Sequence, residues 1–340
     1  MQLIADTAGY SKYVVSKTLN GKPGVSEATR QKILFVAKQL GYFKENSGEN
    51  IQEDQYKSIH NGFVLVVMPN HRYQNVESNY WSKIFNGIID ELEDLGIGVV
   101  VISSQNNLSD SVKTSNLLGI ITVGLVATEM LLQLSKHQVP FVMVDHEDPL
   151  IKADSIFMDN VDGVFKVTSH LIGLGHKELK FIGDINYSRS FYDRWIGFRT
   201  ALEKHYDACN PKSCLLNMEY DDGTMLSMRF KKQLDQWRKK SVPLPSGFVC
   251  ANDQIAEQIM AALQESGYSV PGDCSVTGFD NLDHVSSLSP PLSTVQVLKE
   301  AIGKRAVSKL FWRIRNVEYP AEKILVSCET IIRDSVGLPK

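Results

Sequence analysis

From residue 61 onward, short apolar runs alternate with amphipathic stretches, and this rhythm limits the fold more than any other feature of the chain. Runs at 63–68 (FVLVVM), 98–103, 120–123, 140–144, 179–183, 247–251 and 274–278 have the length and apolar character of buried strands. Between them, 80–95, 128–137, 162–174, 190–205, 222–240 and 254–266 carry helical spacing. Buried strands separated by helices predict an α/β fold with parallel sheets. Seven strands over 280 residues exceed one comfortable sheet, so two α/β lobes are expected.

In open parallel sheets, ligands sit beyond the carboxyl ends of the strands. The polar residues placed there are Asn70, Ser104, Asp145, Asp184, Asn252, Asp253 and Asp280. Acids and amides gathered on facing walls suit a polyhydroxylated ligand, because each can take paired hydroxyl hydrogen bonds. The competing reading makes Asp145 and Asp280 simple strand-end caps, pairs Arg194 with Asp193 at the surface, and makes Asn252 and Asp253 caps of the following helix.

The first 43 residues form a different unit, all helical. LIADTAG reads as a short helix ended by a Gly9 turn, Ser11 caps a second helix, and NGKPG closes it. Ser26 caps a third, with Ile33, Leu34, Ala37 and Leu40 on its apolar face and Gly41 at its end. Three short helices with a tight first turn make a helix-turn-helix head. Residues 1–44 hold seven Lys/Arg against two acids, a net of +5, which leaves −8 on the remaining 296. A basic head on an acidic body suggests a polyanion partner for the head alone. Residues 44–60 are polar, poor in core candidates, and read as a linker.

Other function classes find no support. There is no GxGxxG, no GxxxxGKS, no HExxH and no Gly-x-Ser-x-Gly, so neither an enzyme nor a cofactor is expected. Cys209, Cys214, Cys250, Cys274 and Cys328 are odd in number and form no CxxC, so free thiols rather than a metal site are expected. No apolar run is long enough to span a bilayer, and the amino-terminal segment does not read as a signal peptide. A cytoplasmic protein without membrane contact is therefore expected. A solute-binding module without DNA function is the alternative reading; the basic head argues against it.

Residues 8–42, AGYSKYVVSKTLNGKPGVSEATRQKILFVAKQLGY, resemble the head of the LacI/GalR family of bacterial transcriptional regulators. LIGLGHKELKFIG at 171–183, RWIGFRTAL at 194–202, CANDQIA at 250–256, VTGFDN at 276–281 and LSPPLSTVQV at 288–297 extend the resemblance over nearly the whole chain. It implies a sensor of periplasmic-binding-protein-like fold, a homodimer or dimer of dimers, a near-palindromic double-stranded operator and a small-molecule effector, chiefly a sugar. It also implies discontinuous lobes: about 61–165 with 293–321, and about 166–292 with 322–340.

By motif position, Lys12 and Tyr13 open the recognition helix, and Ser11, Ser16, Lys17 and Asn20 stand beside them at the DNA. Asp145, Arg194, Asn252 and Asp280 match effector-contacting positions, with Tyr80 and Trp81 as stacking residues. Two departures stand out. Relatives start a few residues ahead of the first helix, whereas Met1 lies almost at it; and the leucine that relatives wedge into the minor groove is missing from Phe43-Lys44-Glu45-Asn46-Ser47-Gly48.

Overall fold

The computed structural model describes residues 1–19, 22, 24–39, 62–68, 79–103, 116–206, 210–220 and 225–340. The chain divides into two compact units, Met1–Asn61 and Gly62–Lys340. The expected linker, Asn20, Leu40, Gly41, Asn70, Ser104 and Cys209 lie outside the described residues.

The first unit holds α1 (Gln2–Ala8), α2 (Lys12–Leu19) and α3 (Glu27–Gln39). Ile4, Ala5, Ala8, Val15, Ile33, Val36 and Ala37 form its core. Gly9 turns the chain between α1 and α2 at φ 75, a left-handed conformation that costs glycine nothing. The Val14 amide donates to Ser11 Oγ at 3.4 Å and the Thr29 amide to Ser26 Oγ at 3.3 Å, so both expected caps are in place.

The second unit runs β1 (Phe63–Val67), α4 (Asn79–Asp94), β2 (Gly98–Ile102), β3 (Leu117–Val123), α5 (Thr128–Ser135), β4 (Phe141–Val144), β5 (Asp154–Met158), α6 (Asn160–Gly173) and β6 (Leu179–Gly183). It continues with α7 (Arg189–His205), β7 (Leu215–Asn217), α8 (Met225–Lys239), β8 (Gly247–Cys250), α9 (Asp253–Glu265), β9 (Ser275–Thr277), β10 (Thr294–Gln296), α10 (Lys299–Arg315), β11 (Lys323–Val326) and β12 (Glu329–Ile331).

Two parallel sheets result, ordered β11-β5-β4-β3-β1-β2 and β7-β6-β8-β9, with an antiparallel β10-β12 pair beside them. In the first lobe, Leu65, Ile120 and Met143 face α5 through Met130, Leu131 and Leu134. Gly119, one residue away on β3, faces Leu310 of α10, so helices cover both sides of the sheet. In the second lobe Phe181, Trp195 and Phe198 pack α7 on β6, and Phe230 and Trp237 pack α8 against Phe248.

The chain crosses between lobes three times, but not where the resemblance implied. The first crossing follows Met158 rather than residue 166, because α6 packs on α7 and on the β10-β12 pair. The second falls between Gln296 and Lys299 rather than near 292, because Asp280 and Thr277 still bridge to Gln296 and Ser293. The third follows Val326 rather than residue 321, because β11 pairs in register with β5, Lys323 opposite Ser155.

The first lobe is pinned by a buried charge cluster. Arg313 of α10 grips Asp154 with two bonds of 2.7 Å, the Glu322 amide adds a third at 2.8 Å, and Lys309 stands 3.6 Å away. Glycines set the helix spacing. A Cβ on Gly303 of α10 would lie 2.2 Å from the Ile84 carbonyl of α4, and one on Gly87 of α4 would lie 2.2 Å from the Glu300 carbonyl. Gly197 of α7 meets the Val161 carbonyl of α6 equally closely, at 2.3 Å.

Backbone cannot yield as a flexible side chain does, so Gly303→Val should destabilise the fold by about 1–3 kcal/mol or more. Gly173→Ala meets nothing within 4 Å, and should be neutral or slightly stabilising, by about 0.4–1 kcal/mol. Chemical denaturation of the two variants against the parent checks this contrast.

Candidate functional site

In the head, Val15 and Thr18 of α2 point inward, while Lys12 and Tyr13 are exposed, Tyr13 by 73%. Ser16 and Lys17 are half-buried on the same side, one helical turn on, and the Lys17 ammonium lies 5.9 Å from the Tyr13 ring centroid. Lys12, Tyr13, Ser16 and Lys17 thus share one face of the second helix. Ser11 is exposed and serves as the cap of that helix.

In the second unit a cleft of about 240 Å³ opens between the lobes. Tyr80, Trp81, Asp145, Arg194, Asn252 and Asp280, the six residues expected to meet an effector, all line it. Asp184, also expected at a strand end, does not; it accepts the Asn186 amide within its own turn at 3.0 Å.

The second lobe supplies the wall built around Arg194, which is 3% exposed. Its Nε donates to Asn160 Oδ1 at 2.8 Å, one terminal nitrogen to the Ala251 carbonyl at 2.7 Å and the other to Asp280 Oδ1 at 3.2 Å. The guanidinium stacks 3.8 Å from the Phe279 ring centroid. The surface pairing of Arg194 with Asp193 is therefore wrong; Arg189 takes Asp193 at 3.2 Å. Five guanidinium N–H groups against three bonds among the described residues leave one on each terminal nitrogen.

Asn252 combines both readings. Its Oδ1 accepts the Ile255 amide at 2.9 Å, making it the cap of α9, while its Nδ2 donates to the Tyr220 hydroxyl at 3.1 Å in the cleft. Asp253, the expected cap, instead lies buried, accepting from Thr294 Oγ1 at 2.5 Å and from the Leu282 amide at 2.8 Å. Burial raises its carboxyl to about 7.

The first lobe supplies Tyr80 and Trp81 from the start of α4, their rings edge to face at 4.9 Å, and Asp145 from the end of β4. Tyr80 is buried, its hydroxyl 3.6 Å from Met158 Sδ, and burial with the charges of Asp145 and Asp280 keeps the phenol protonated well above its ordinary range. Asp145 takes the Ser190 hydroxyl of the opposite lobe at 2.5 Å. Burial nevertheless raises its carboxyl to about 6, outweighing the Ser190 bond and Arg194. Asp280 is raised for the same reason, against the pull of Arg194 and Lys299.

Several lining residues escaped the sequence. Tyr187, Phe191 and Tyr220 form an aromatic cluster with centroids 4.9–5.3 Å apart. Arg189 reaches across to Glu147, which also takes Lys323 at 2.6 Å. His146 follows Asp145 into the wall, and burial lowers its imidazole below the ordinary range. All sit on turns or at the start of α7, where no periodicity marks them; the Ser188 cap of α7 is the one available signal.

Residues 1–45 match the profile described as bacterial regulatory proteins, lacI family, and residues 168–336 match that of a periplasmic binding protein-like domain. The chain belongs to the LacI/GalR family. It is a DNA-binding regulator with a two-lobed effector domain rather than an enzyme.

Within this family it is 28% identical, over 349 residues, to the HTH-type transcriptional repressor PurR of Haemophilus influenzae, covering 98% of this chain and 97% of that protein. It is 27% identical to the probable HTH-type transcriptional repressor ExuR of Bacillus subtilis, over the same shares. Among solved LacI/GalR folds, the CelR–cellobiose complex superposes with TM-score 0.68 at 19% identity over 98% of each chain. A ribose-bound LacI family regulator of Enterococcus faecium does so at 0.67 and 21%, over 82% of this chain and all of that one. The lac repressor dimer bound to operator gives 0.64 at 22%, over 98% and 97%. No helix among the described residues is long and apolar enough to cross a membrane.

The raised Asp145 carboxyl carries a signed prediction. A carboxyl whose pKa rises on folding, here from 3.8 to about 6, makes the folded chain bind a proton more tightly than the unfolded one. Stability then falls as pH climbs through that window and stays lower above it. Asp145→Asn keeps an acceptor for Ser190 but cannot ionise. It should be more stable than the parent above pH 6, with the advantage vanishing toward about pH 4. Urea unfolding at a series of pH values reads this; a constant offset would contradict it.

Proposed function

We propose that the chain is a repressor whose operator affinity is set by a small neutral polyol, a sugar, bound between its lobes. The observation that carries this reading is that Asp145 from one lobe and Asp280 with Arg194 from the other meet across a single cleft flanked by aromatic rings. Burial already penalises negative charge at both carboxyls, so an anionic ligand would add to that cost with few cations to offset it. Vicinal hydroxyls instead offer each carboxyl and the free guanidinium N–H groups the paired bonds they lack. Trp81, Tyr187, Phe191 and Tyr220 suit the apolar face of a sugar ring. The volume lies below the ~300–1,000 Å³ of drug-sized pockets, which favours one or two rings. The ribose and cellobiose bound to two structurally similar regulators, and the repressor names of the relatives, support the same reading.

On DNA, two heads of a homodimer would occupy successive major grooves, phosphate contacts fixing register and Lys12 and Tyr13 reading base edges. The ligand must bind two arrangements of the lobes unequally for operator affinity to respond; a dimer of dimers would add a second pair of heads.

Two measurements test the proposal. With an operator selected from random duplexes, Lys12→Ala and Tyr13→Ala should each lose about 1–3 kcal/mol on that sequence and little on others, whereas Lys17→Ala should weaken all duplexes alike. Equal losses on every duplex for all three would remove the base-reading assignment. With a panel of neutral sugars, uronates and sugar phosphates, thermal shift of the full chain should respond to a neutral sugar by mass action. Asp280→Ala should keep operator binding and lose that shift. A response confined to a sugar phosphate would overturn the neutral-ligand reading.

A further inference from the structure

The loop after β9 is where the cleft wall meets the crossing strand, and its backbone is unusual. Asp280 has φ 109 and Asn281 φ 47, two consecutive non-glycine residues in the left-handed region. Asparagine tolerates that region, but φ 109 lies outside even the ordinary left-handed well and must be held there. The second lobe supplies part of the hold. Asp253 accepts the Leu282 amide at 2.8 Å, the Asp280 amide donates to the Val295 carbonyl at 2.9 Å, and Arg333 donates to Asn281 Oδ1 at 2.9 Å.

The rest comes from the first lobe. Lys299 is the first residue of α10, which packs on α4 and on the first sheet, yet its side chain points back to this loop and is only 3% exposed. Among the described residues no carboxylate bonds to its ammonium. Instead Nζ donates to the carbonyls of Asp280 at 2.5 Å, Asn281 at 3.2 Å and Val297 at 3.5 Å, and it lies 5.7 Å from the Tyr80 ring centroid. Tyr80 and Asp280 are cleft-lining residues of opposite lobes, and this lysine touches both. A buried ammonium satisfied mainly by the carbonyls of a strained turn is a costly arrangement, and a lysine serving only packing could be replaced by an aliphatic residue.

We propose that Lys299 is a positioning residue: its ammonium holds the Asp280–Asn281 turn in the left-handed form, thereby fixing the Asp280 carboxylate at the cleft wall and tying the first lobe to it. Removing the charge lets the two carbonyls part, the turn relax and the carboxylate leave Arg194. The neighbouring Lys83 also reaches this loop, at 2.5 Å from Asp283, but as an exposed pair whose partner is 54% accessible; such pairs contribute little. Lys83→Met therefore serves as the control. The part concerning Asp280 rests on the cleft being the effector site; the holding of the turn does not, and the test uses no effector, so the two can fail separately.

The experiment is amide hydrogen exchange by mass spectrometry on the full chain, parent against Lys299→Met, Lys299→Arg and Lys83→Met. In Lys299→Met, segments spanning 279–283 and 294–297 should exchange about tenfold faster or more, while β3 and β8 keep parental rates. Lys299→Arg, which keeps charge and donors, should restore most of the protection, and Lys83→Met should match the parent. Unchanged exchange at 279–283 in Lys299→Met overturns the proposal, as does equal acceleration in β3 and β8, the mark of a residue that merely stabilises the fold. Should Lys299→Met fail to fold, Lys299→Gln carries the same comparison, its single neutral amide giving intermediate protection at 279–283 and parental rates elsewhere.

Discussion

The geometry of the second lobe depends on one guanidinium. Arg194 touches Asn160, the second residue after the first crossing, the Ala251 carbonyl at the end of β8, and Asp280 in the loop after β9. These three points come from segments some 90 and 30 residues apart in sequence, and no apolar contact would align their polar groups as a planar fork does. The charge is buried at a cost, and stacking on Phe279 together with three bonds offsets it. Loss of Arg194 would strand an acid, an amide and a carbonyl at once, so its place in the cleft cannot be separated from its place in the fold.

Two buried acids show how differently the same side chain is used. Asp154 is fully enclosed and receives Arg313 twice and the Glu322 amide, with Lys309 nearby, so its charge is answered within the protein. Asp145 has the Ser190 hydroxyl as its one described hydrogen-bond donor and a carboxyl raised to about 6. The first is a cross-brace. The second retains unmet capacity in a cavity, which is the arrangement expected of a group awaiting a ligand.

Much of this was legible in the sequence. The apolar runs at β1, β3, β4 and β8 announce themselves, and the rule that polar residues at strand ends converge found Asp145, Asn252 and Asp280. What stayed hidden has physical causes. β5 begins with a buried acid, β11 is an edge strand carrying Lys323, and β10 and β12 span three residues each, so none shows a clear apolar period. In α10 the inward face includes Lys299, Lys309 and Arg313, and cations on the inside defeat any reading by hydrophobicity. Tyr187 and Tyr220 sit where turns place them, and turn geometry is set by tertiary contacts. Lys299 at a helix start looks like an ordinary surface lysine until its carbonyl partners are seen.

The threefold crossing also fixes an order of events during synthesis. The outermost strand of the first sheet, β11, is drawn from residues 323–326 but pairs with β5 at 154–158. The helix that covers the middle of that sheet, α10, is made only at residues 299–315. A nascent chain that has completed β1 to β5 therefore holds a sheet face only partly covered, by α4, until almost the entire polypeptide has left the ribosome. The second lobe, by contrast, has its four-stranded sheet and the helices on it in hand by residue 277, with the β10-β12 pair still to be added. That sheet can form first, whereas the earlier one must wait for α10 and β11; such long-range pairing is slow to form and exposed to aggregation meanwhile.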